Sequence, residues 1–203
     1  MTQPARTRLS PAQRREQLLE LGVRLLATRS LDELSIDLLA EEAGISRGLL
    51  YHYFGGKAGF HEAVVRRAAD DLLARTAPPD QGTPEERLLV SMAAYLDYVQ
   101  ANYEGYVSLV RGAAGGNEAL RAIYDQARSE LTDRIFREGA QGDVIPDTAT
   151  TRLLVRGWSA MTEELVLTWC REPAGVAREV VVGLLAGSLP ALVEAALSQL
   201  GRP

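Results

Sequence analysis

The chain has 203 residues, of which 46% are hydrophobic, so it can bury a sizeable core and is not natively unfolded. Its formal net charge of −5 argues against indiscriminate binding to nucleic acid. Cys170 is the only cysteine, which excludes an intrachain disulfide and a Cys-x-x-Cys metal site and favours a reducing cytoplasm.

The N-terminal segment concentrates positive charge ahead of a first helix. The first fifteen residues hold four arginines and no acidic residue, which fits either a local DNA-contacting end or an ordinary solvated tail. Ser10, Pro11 and Gln13 predict a capped helix start, and leucines at helical spacing predict a core-facing stripe that ends near Ser30. The four arginines are Arg6, Arg8, Arg14 and Arg15.

The stretch from Ser35 to Lys57 predicts two short helices joined by a tight turn. Gly44 can adopt the positive φ of such a turn, Ala40 is small where the helices would cross, and Ser46 can cap the second helix. The pattern is typical of a helix-turn-helix, whose second helix reads the major groove while a lysine at the next helix start meets a phosphate. The predicted DNA-binding residues are Ser35, Ser46, Arg47, Gly48, Tyr51, His52, Tyr53 and Lys57.

These residues resemble the TetR (tetracycline-repressor-like) family of transcriptional regulators. The resemblance rests on the run A-x-x-A-G-I-S-x-G-x-L-Y-H-Y-F-x-x-K from Ala40 to Lys57, and it covers roughly the first quarter of the chain. Gly55 and Gly56 depart from the family, in which polar residues or proline often stand before the lysine. Beyond about residue 75 the resemblance implies an all-helical ligand-binding domain and a dimer formed through the last two helices, with no particular ligand.

Helix signals continue to the C-terminus. A helix from Lys57 to about Arg75 precedes a break at Pro78–Gly82, and Thr83 opens the next helix with a second capping box. Because no segment alternates with period two, the sequence predicts an all-α fold of about nine helices. We divide it into a three-helix helix-turn-helix DNA-binding domain (1–57), a connecting helix (58–77) and a ligand-binding and dimerisation domain (78–203). The later helices are predicted from Tyr103 to Arg111, from Asn117 to a stop at Gly139 and Gly142, from Pro146 to Glu172 and from about Ala174 to Leu200.

Aromatic residues of the C-terminal part predict a small-molecule pocket, although each of them can instead simply fill the core. The ligand would be largely apolar, because these residues offer hydroxyls and indole N–H groups but few charges. Glu163 or Glu164 would either face that space and attract a cation or pair with Arg152 or Arg156. The predicted pocket residues are Tyr95, Tyr98, Tyr106, Tyr124, Trp158, Met161 and Trp169.

Small residues recur at intervals of four in the last helix. Such a stripe lets helix backbones approach closely, either in a homodimer or within one chain. The longest uncharged apolar run, Val180–Val193, is too short to span a bilayer, so no membrane segment is expected. The predicted dimer interface consists of Gly183, Gly187, Ala191 and Ala195.

No catalytic motif emerges from the sequence. Both histidines lie in or next to the helix-turn-helix, and the loop from Gly112 to Gly116 lacks the lysine of a phosphate-binding loop, so neither an enzyme nor a metal or cofactor is expected. The sequence predicts a cytoplasmic, nucleoid-associated bacterial repressor that leaves a pseudo-palindromic operator when a small apolar molecule binds. The alternative is a helical protein–protein adaptor with a vestigial helix-turn-helix.

Overall fold

A computed structural model of the chain describes residues 10–140 and 145–200, and these ranges contain nine α-helices and no β-strand. The predicted all-α fold is therefore confirmed. Arg6, Arg8 and the helix stop at Gly142 lie outside the described residues. The helices are α1 (Pro11–Leu26), α2 (Ile36–Ala43), α3 (Arg47–Phe54), α4 (Lys57–Arg75), α5 (Pro84–Ala101), α6 (Tyr103–Ala114), α7 (Glu118–Ala140), α8 (Ala149–Arg171) and α9 (Arg178–Leu200).

Among the predicted helix limits that differ from the structure, the end of α1 and the start of α9 are wrong because of the loops beside them. α1 ends before Ser30, because Ser30 starts a separate turn in which the Glu33 carboxylate accepts hydrogen bonds from its backbone N–H and its hydroxyl. α9 begins after the predicted Ala174, because Ala174 and Gly175 both adopt left-handed backbone conformations, with φ of 49° and 75°. Neither feature changes the hydrophobic period from which the helices were predicted.

Capping residues set several of the other helix limits. Both predicted capping boxes are present, at the starts of α1 and α5. A third reciprocal cap joins Thr148 and Thr151, so α8 starts later than the predicted Pro146. α6 continues to Ala114, which is one turn beyond the predicted Arg111.

Two glycines allow the short helices near the N-terminus to meet at sharp angles. Gly44 ends α2 with φ of 63°, a left-handed conformation that other residues adopt only with strain. Gly59 lies in the first turn of α4, where an added Cβ would come within 2.1 Å of the Phe54 carbonyl oxygen. α3 and α4 can therefore follow one another closely only because Gly59 has no side chain.

The core beneath the N-terminal helices extends into the C-terminal part of the chain. Leu50, Phe60 and Val64 are completely buried there, together with leucines of α1 and α2. The same cluster includes Leu120 and Ile123 of α7, so the predicted domain limits do not separate the packing. α4 joins this core to the next one, because it contributes Leu72 to a second cluster built mainly from α5, α8 and α9.

α9 is apolar on both its buried and its exposed sides. Leu185 and Leu189 are buried against the neighbouring helices, whereas Leu184 is 60% exposed. By length and composition alone, Arg178–Ser198 is able to cross a membrane. The mean hydropathy of its most apolar stretch is 2.0, and 33% of the residues in that stretch are buried. The expectation that no segment has the length and composition of a membrane span is therefore wrong for this helix.

Candidate functional site

α2 and α3 form the predicted helix-turn-helix, and a serine caps each of them. The Ser35 hydroxyl accepts a hydrogen bond from the Leu38 N–H at 3.0 Å, and the Ser46 hydroxyl accepts one from the Leu49 N–H at 3.3 Å. Both hydroxyls stabilise helix starts, so their side chains position the motif rather than extend from it. Leu50 anchors α3, since its side chain is completely buried in the core.

The outer side of α3 exposes most of the predicted base-reading residues. Arg47 is paired with Asp37 of α2, and their side chains are 69% and 60% exposed. Gly48 and His52 are exposed, and Tyr51 is 54% exposed although it is a large aromatic residue. An exposed ion pair contributes at most about 1 kcal/mol, so Arg47 can exchange Asp37 for another partner at small cost.

Tyr53 differs from the other predicted DNA-binding residues of α3 because it is half-buried. Its ring lies edge-on to His52, with centroids 5.5 Å apart, and it also contacts the ring of Phe54. Tyr53 therefore supports the end of α3 while leaving part of its side chain accessible.

The start of α4 lies beside this exposed side of α3. Lys57 is its first residue, and the Lys57 ammonium donates a hydrogen bond to the Asp32 carbonyl oxygen at 3.2 Å. No side chain caps α4, so its first backbone N–H groups have no partner within the helix and can meet a phosphate. His61 ties α4 to the segment before α2, since its Nε2 lies 2.6 Å from the Leu34 carbonyl oxygen.

A cavity of about 620 Å³ lies in the C-terminal part of the chain. Of the predicted pocket residues, Tyr95, Tyr106 and Trp158 line it. Tyr98 and Tyr124 line a smaller neighbouring void of about 50 Å³, which Tyr106 also borders. Most of the other lining is apolar and includes Leu88, Met92, Leu131, Ile135, Leu189 and Val193.

Two predicted pocket residues lie away from both cavities, and a third offers a ligand less than expected. Met161 is not among the residues that line either cavity and is 37% exposed. Trp169 also lies away from both, and its ring N–H donates to the Val176 carbonyl oxygen at 2.9 Å. Trp158 does line the cavity, but its ring N–H already donates to the Ser188 hydroxyl at 2.9 Å, so it offers a ligand its ring only.

A chain of hydrogen bonds closes one side of the cavity. Glu163 of α8 accepts a hydrogen bond from the Tyr106 hydroxyl at 3.0 Å and another from the Tyr124 hydroxyl at 2.7 Å. The Tyr95 hydroxyl lies 2.8 Å from that of Tyr106, and the Arg128 guanidinium donates to the Tyr124 hydroxyl at 2.8 Å. These bonds join α5, α6, α7 and α8 around one carboxylate.

The three hydrogen-bonded tyrosines beside Glu163 remain neutral at ordinary pH. Burial raises the pKa of Tyr95 and of Tyr106 well above the usual value of 10.0. Burial, together with the hydrogen bond to Glu163, raises the pKa of Tyr124 to about 12. Their hydroxyls therefore act as neutral hydrogen-bond donors and add no charge to the cavity.

Glu163 is the functional candidate that the sequence only partly identified. It lines the cavity, and the pairing with Arg152 that the sequence left open is wrong, since Arg152 binds Asp133 and Asp147 instead. The side-chain hydroxyl oxygens of Ser91 and Thr162 were missed altogether; both residues line the cavity, and neither oxygen has a hydrogen-bond partner. The spacing of the sequence could have indicated Ser91, because Ser91 lies one helical turn before the predicted pocket residue Tyr95.

The walls of the cavity contact the end of α4 directly. Arg134 of α7, which lines the cavity, donates to the Leu73 carbonyl oxygen at 2.8 Å and to the Thr76 hydroxyl at 3.3 Å. The Tyr98 hydroxyl donates to the carbonyl oxygen of Ala68 in α4 at 2.7 Å. The helix that begins at the helix-turn-helix thus ends at the cavity wall.

An exposed apolar surface on α8 and α9, called here the α8–α9 face, lies outside the core. Leu153 is 71% exposed on α8, and Val180 and Leu184 are exposed on α9. An added Cβ at Gly183 or Gly187 would meet no heavy atom within 4 Å, so close packing within the chain does not account for these glycines. The face comprises Leu153, Gly157, Met161, Leu165, Val180, Gly183, Leu184, Gly187, Ala191 and Ala195, all of which are exposed.

These features define an all-α protein with an N-terminal helix-turn-helix, a motif typical of DNA-binding proteins, and a cavity in its C-terminal part. Residues 18–64 match the model of the bacterial regulatory proteins of the tetR family, and residues 84–197 match the tetracyclin repressor-like C-terminal domain. The chain belongs to the TetR family of transcriptional regulators. Regulators of this family are DNA-binding proteins that act as dimers and are not enzymes.

Individual relatives agree with this assignment. A tetR-family regulator from Streptomyces coelicolor has 35% sequence identity and a TM-score of 0.84, over 94% of this chain and 85% of that one. The transcriptional activator FasR of Mycolicibacterium smegmatis is 26% identical over 64% of this chain and 60% of its own length. The regulator BetI of Burkholderia thailandensis is 36% identical over 43% of this chain and 46% of its own. The matched part of the chain thus spans only about half of the length of the curated relatives FasR and BetI.

Proposed function

We propose that the protein is a homodimeric, cytoplasmic, nucleoid-associated repressor that leaves a pseudo-palindromic operator when a small, largely apolar effector binds. The observation that carries this proposal is the course of α4. It starts at Lys57 beside the exposed side of α3 and ends at Arg75, and the next residue, Thr76, lines the 620 Å³ cavity. One rigid element therefore touches both the DNA-reading end and the cavity.

The exposed side of α3 supports DNA binding by the major groove. Arg47 can donate two hydrogen bonds to a guanine, and His52 and Tyr51 present further polar atoms on the same short helix. Lys57 and the uncapped start of α4 supply phosphate contacts, which fix the position of α3 without reading sequence. The alternative of an adaptor gives no reason for base-reading and phosphate-binding groups to lie together.

The α8–α9 face supports a homodimer. A large exposed apolar surface on a regulator is typical of a protein–protein interface. Two recognition helices must lie about 34–36 Å apart to meet adjacent major grooves, and a dimer through these long helices can hold them at a fixed distance. The apolar composition of α9 then serves the interface instead of a membrane.

The cavity supports control by a small molecule. Its volume lies within the range of about 300–1,000 Å³ that is usual for small-molecule sites, and its lining is mostly apolar. An effector that binds best when α4 is displaced must weaken operator binding by the same factor that the operator weakens effector binding.

The proposal is tested by a gel-shift titration against the DNA upstream of the protein's own gene. The logarithm of the affinity should fall with the logarithm of the salt concentration, by about 0.9 for each phosphate neutralised. Lys57→Ala should weaken binding to all sequences alike and reduce this slope, whereas Arg47→Ala should relax discrimination at one base pair, by about 1–3 kcal/mol. Arg171→Ala, at the exposed end of α8, is the control.

Three results would contradict the proposal. Parent-like DNA binding by both variants would exclude α3 from the groove, and no sequence-specific binding at all would favour the adaptor. Transcription that rises rather than falls with the regulator bound would make it an activator.

A further inference from the structure

The carboxylate of Glu163 is a half-buried polar group that can accept further hydrogen bonds. It accepts hydrogen bonds from two neutral tyrosine hydroxyls, at 2.7 and 3.0 Å. Among the described residues, no nitrogen of arginine, lysine or histidine lies within 4.0 Å of its oxygens. An ionised carboxylate has about four lone-pair positions, so it can accept further hydrogen bonds from a ligand.

The other charged groups of the cavity are already engaged or exposed. Three arginines line it and keep their charge; each donates a hydrogen bond to a carbonyl oxygen of the chain, and Arg128 also interacts electrostatically with Glu163. Two further carboxylates, Glu85 and Glu194, are exposed. Glu163 is therefore the half-buried carboxylate that faces a mostly apolar space. The three arginines are Arg87, Arg128 and Arg134.

Several other groups that line the cavity suit a positive charge. The rings of Tyr95 and Tyr106 pack edge to face with centroids 6.2 Å apart, and aromatic rings attract cations through their faces. Ser91 and Thr162 are 8% and 5% exposed, and their hydroxyl oxygens have no partner. Each such hydroxyl can rotate about one side-chain bond, so it can accept a hydrogen bond from an ammonium group.

We infer that the effector is an amphipathic organic cation, with its positive group at Glu163 and its apolar body in the rest of the cavity. This inference rests on the proposed function, because it names the class of effector. A positive group gains a charge-assisted interaction with a carboxylate that is partly shielded from water. An anionic head group would instead be repelled by Glu163.

The test compares decylammonium, decanol and decanoate, which share one apolar tail and differ in head-group charge. Binding is measured without DNA, below the micelle concentrations, by quenching of tryptophan fluorescence. The chain has two tryptophans, so a Trp169→Phe background leaves Trp158 in the cavity wall as the reporter. Decylammonium should bind at least about tenfold more tightly than decanol, and decanoate should bind least.

Variants then assign the preference to one carboxylate. Glu163→Gln should reduce the preference for decylammonium over decanol to about twofold or less. Glu164→Gln makes the same change in charge at the next, exposed residue and should keep the preference. Tyr124→Phe removes one hydroxyl from Glu163 but leaves its charge, so it should also keep the preference, and circular dichroism verifies that each variant is folded.

Several results would overturn the inference. These are equal binding of decanol and decylammonium, tightest binding of decanoate, absence of decylammonium binding, and a preference that survives in folded Glu163→Gln. A different result would contradict the proposed function. An operator complex that is stable at saturating decylammonium would contradict release by the effector, whereas the cation preference is measured on the DNA-free protein.

Discussion

A single ring nitrogen of His61 connects α4 to Leu34, in the segment just before α2. Burial lowers its pKa below the ordinary value of 6.5, and the hydrogen bond to Leu34 acts in the opposite direction. Because the folded-state pKa is the lower one, the unfolded chain takes up the proton first. The stability associated with neutral His61 is therefore present above pH 6.5 and is lost as the pH falls through the folded-state pKa.

The urea concentration at the midpoint of unfolding should accordingly decrease as the pH is lowered from about 7.5 to about 5.5. His61→Gln, whose amide can still donate to the Leu34 carbonyl, should show a smaller fall. His52→Gln is the control, since His52 is exposed on α3. An identical pH dependence in the parent and in His61→Gln would assign the effect to other groups.

Single residues also mark the limit of what the sequence could predict. The exposure of Arg47 followed from helical spacing, but its ion pair with Asp37 depends on how the turn brings α2 and α3 together. The bonds between Glu163 and its tyrosines join residues 57 and 39 positions apart in the chain. No local pattern encodes such pairs, so Glu163 was only an alternative until the helices were assembled.

At the level of elements, the turn between α2 and α3 can be tested with a matched pair of glycines. Gly44 has φ of 63°, and an added Cβ there would meet nothing within 4 Å, so Gly44→Ala introduces backbone strain alone. It should lower the free energy of unfolding by about 1–2 kcal/mol. Gly48→Ala adds the same methyl group at a right-handed position in α3, where the nearest atom is the Ser46 hydroxyl oxygen at 3.9 Å.

Gly48→Ala should be neutral or stabilise by up to about 1 kcal/mol, because alanine favours helix. Chemical denaturation followed by circular dichroism measures both variants under the same conditions. Equal stability of the two variants would mean that the left-handed conformation of Gly44 is not what constrains this turn.

The elements themselves were predictable because caps and hydrophobic spacing act locally. Both capping boxes and the turn glycine were identified from side-chain type and spacing alone. The errors occurred where a loop has its own hydrogen bonds, as at Ser30 and Glu33, or an unexpected left-handed residue, as at Ala174. The sharing of one core by α1–α4 and α7 is tertiary, so the domain limits drawn on the sequence describe connectivity rather than packing.

On the scale of the whole molecule, the α8–α9 face can be disrupted without disturbing the chain's own core. An added Cβ at Gly187 would meet no heavy atom, so Gly187→Arg should leave each subunit folded. In the proposed dimer it would bury a charge against an apolar partner, at a cost of several kcal/mol. Sedimentation should therefore give monomers, with much weaker operator binding.

Ala122→Arg is the matched control, because it places the same large cation at an exposed position of α7. It should remain dimeric. If Gly187→Arg also sediments as an unchanged dimer, the α8–α9 face is not the interface.

Communication between the cavity and the DNA-reading end should depend on Arg134. Its guanidinium lines the cavity and also holds the end of α4 through the Leu73 carbonyl oxygen and the Thr76 hydroxyl. An effector that moves this guanidinium changes the position at which α4 is held. We expect the coupling free energy of the parent to be about 1–3 kcal/mol, or roughly 5–150-fold in affinity.

Arg134→Met keeps much of the apolar stem and removes the charged donor, so it should reduce the coupling while leaving the protein folded. Arg137→Met is the control, because Arg137 is one turn further along α7 and pairs with Glu130. Operator affinity is measured with and without saturating decylammonium, and decylammonium affinity is measured with and without operator. The two ratios must agree, since coupling is reciprocal. A coupling in Arg134→Met equal to that of the parent would show that the signal reaches α4 by another contact, such as the bond from Tyr98 to Ala68.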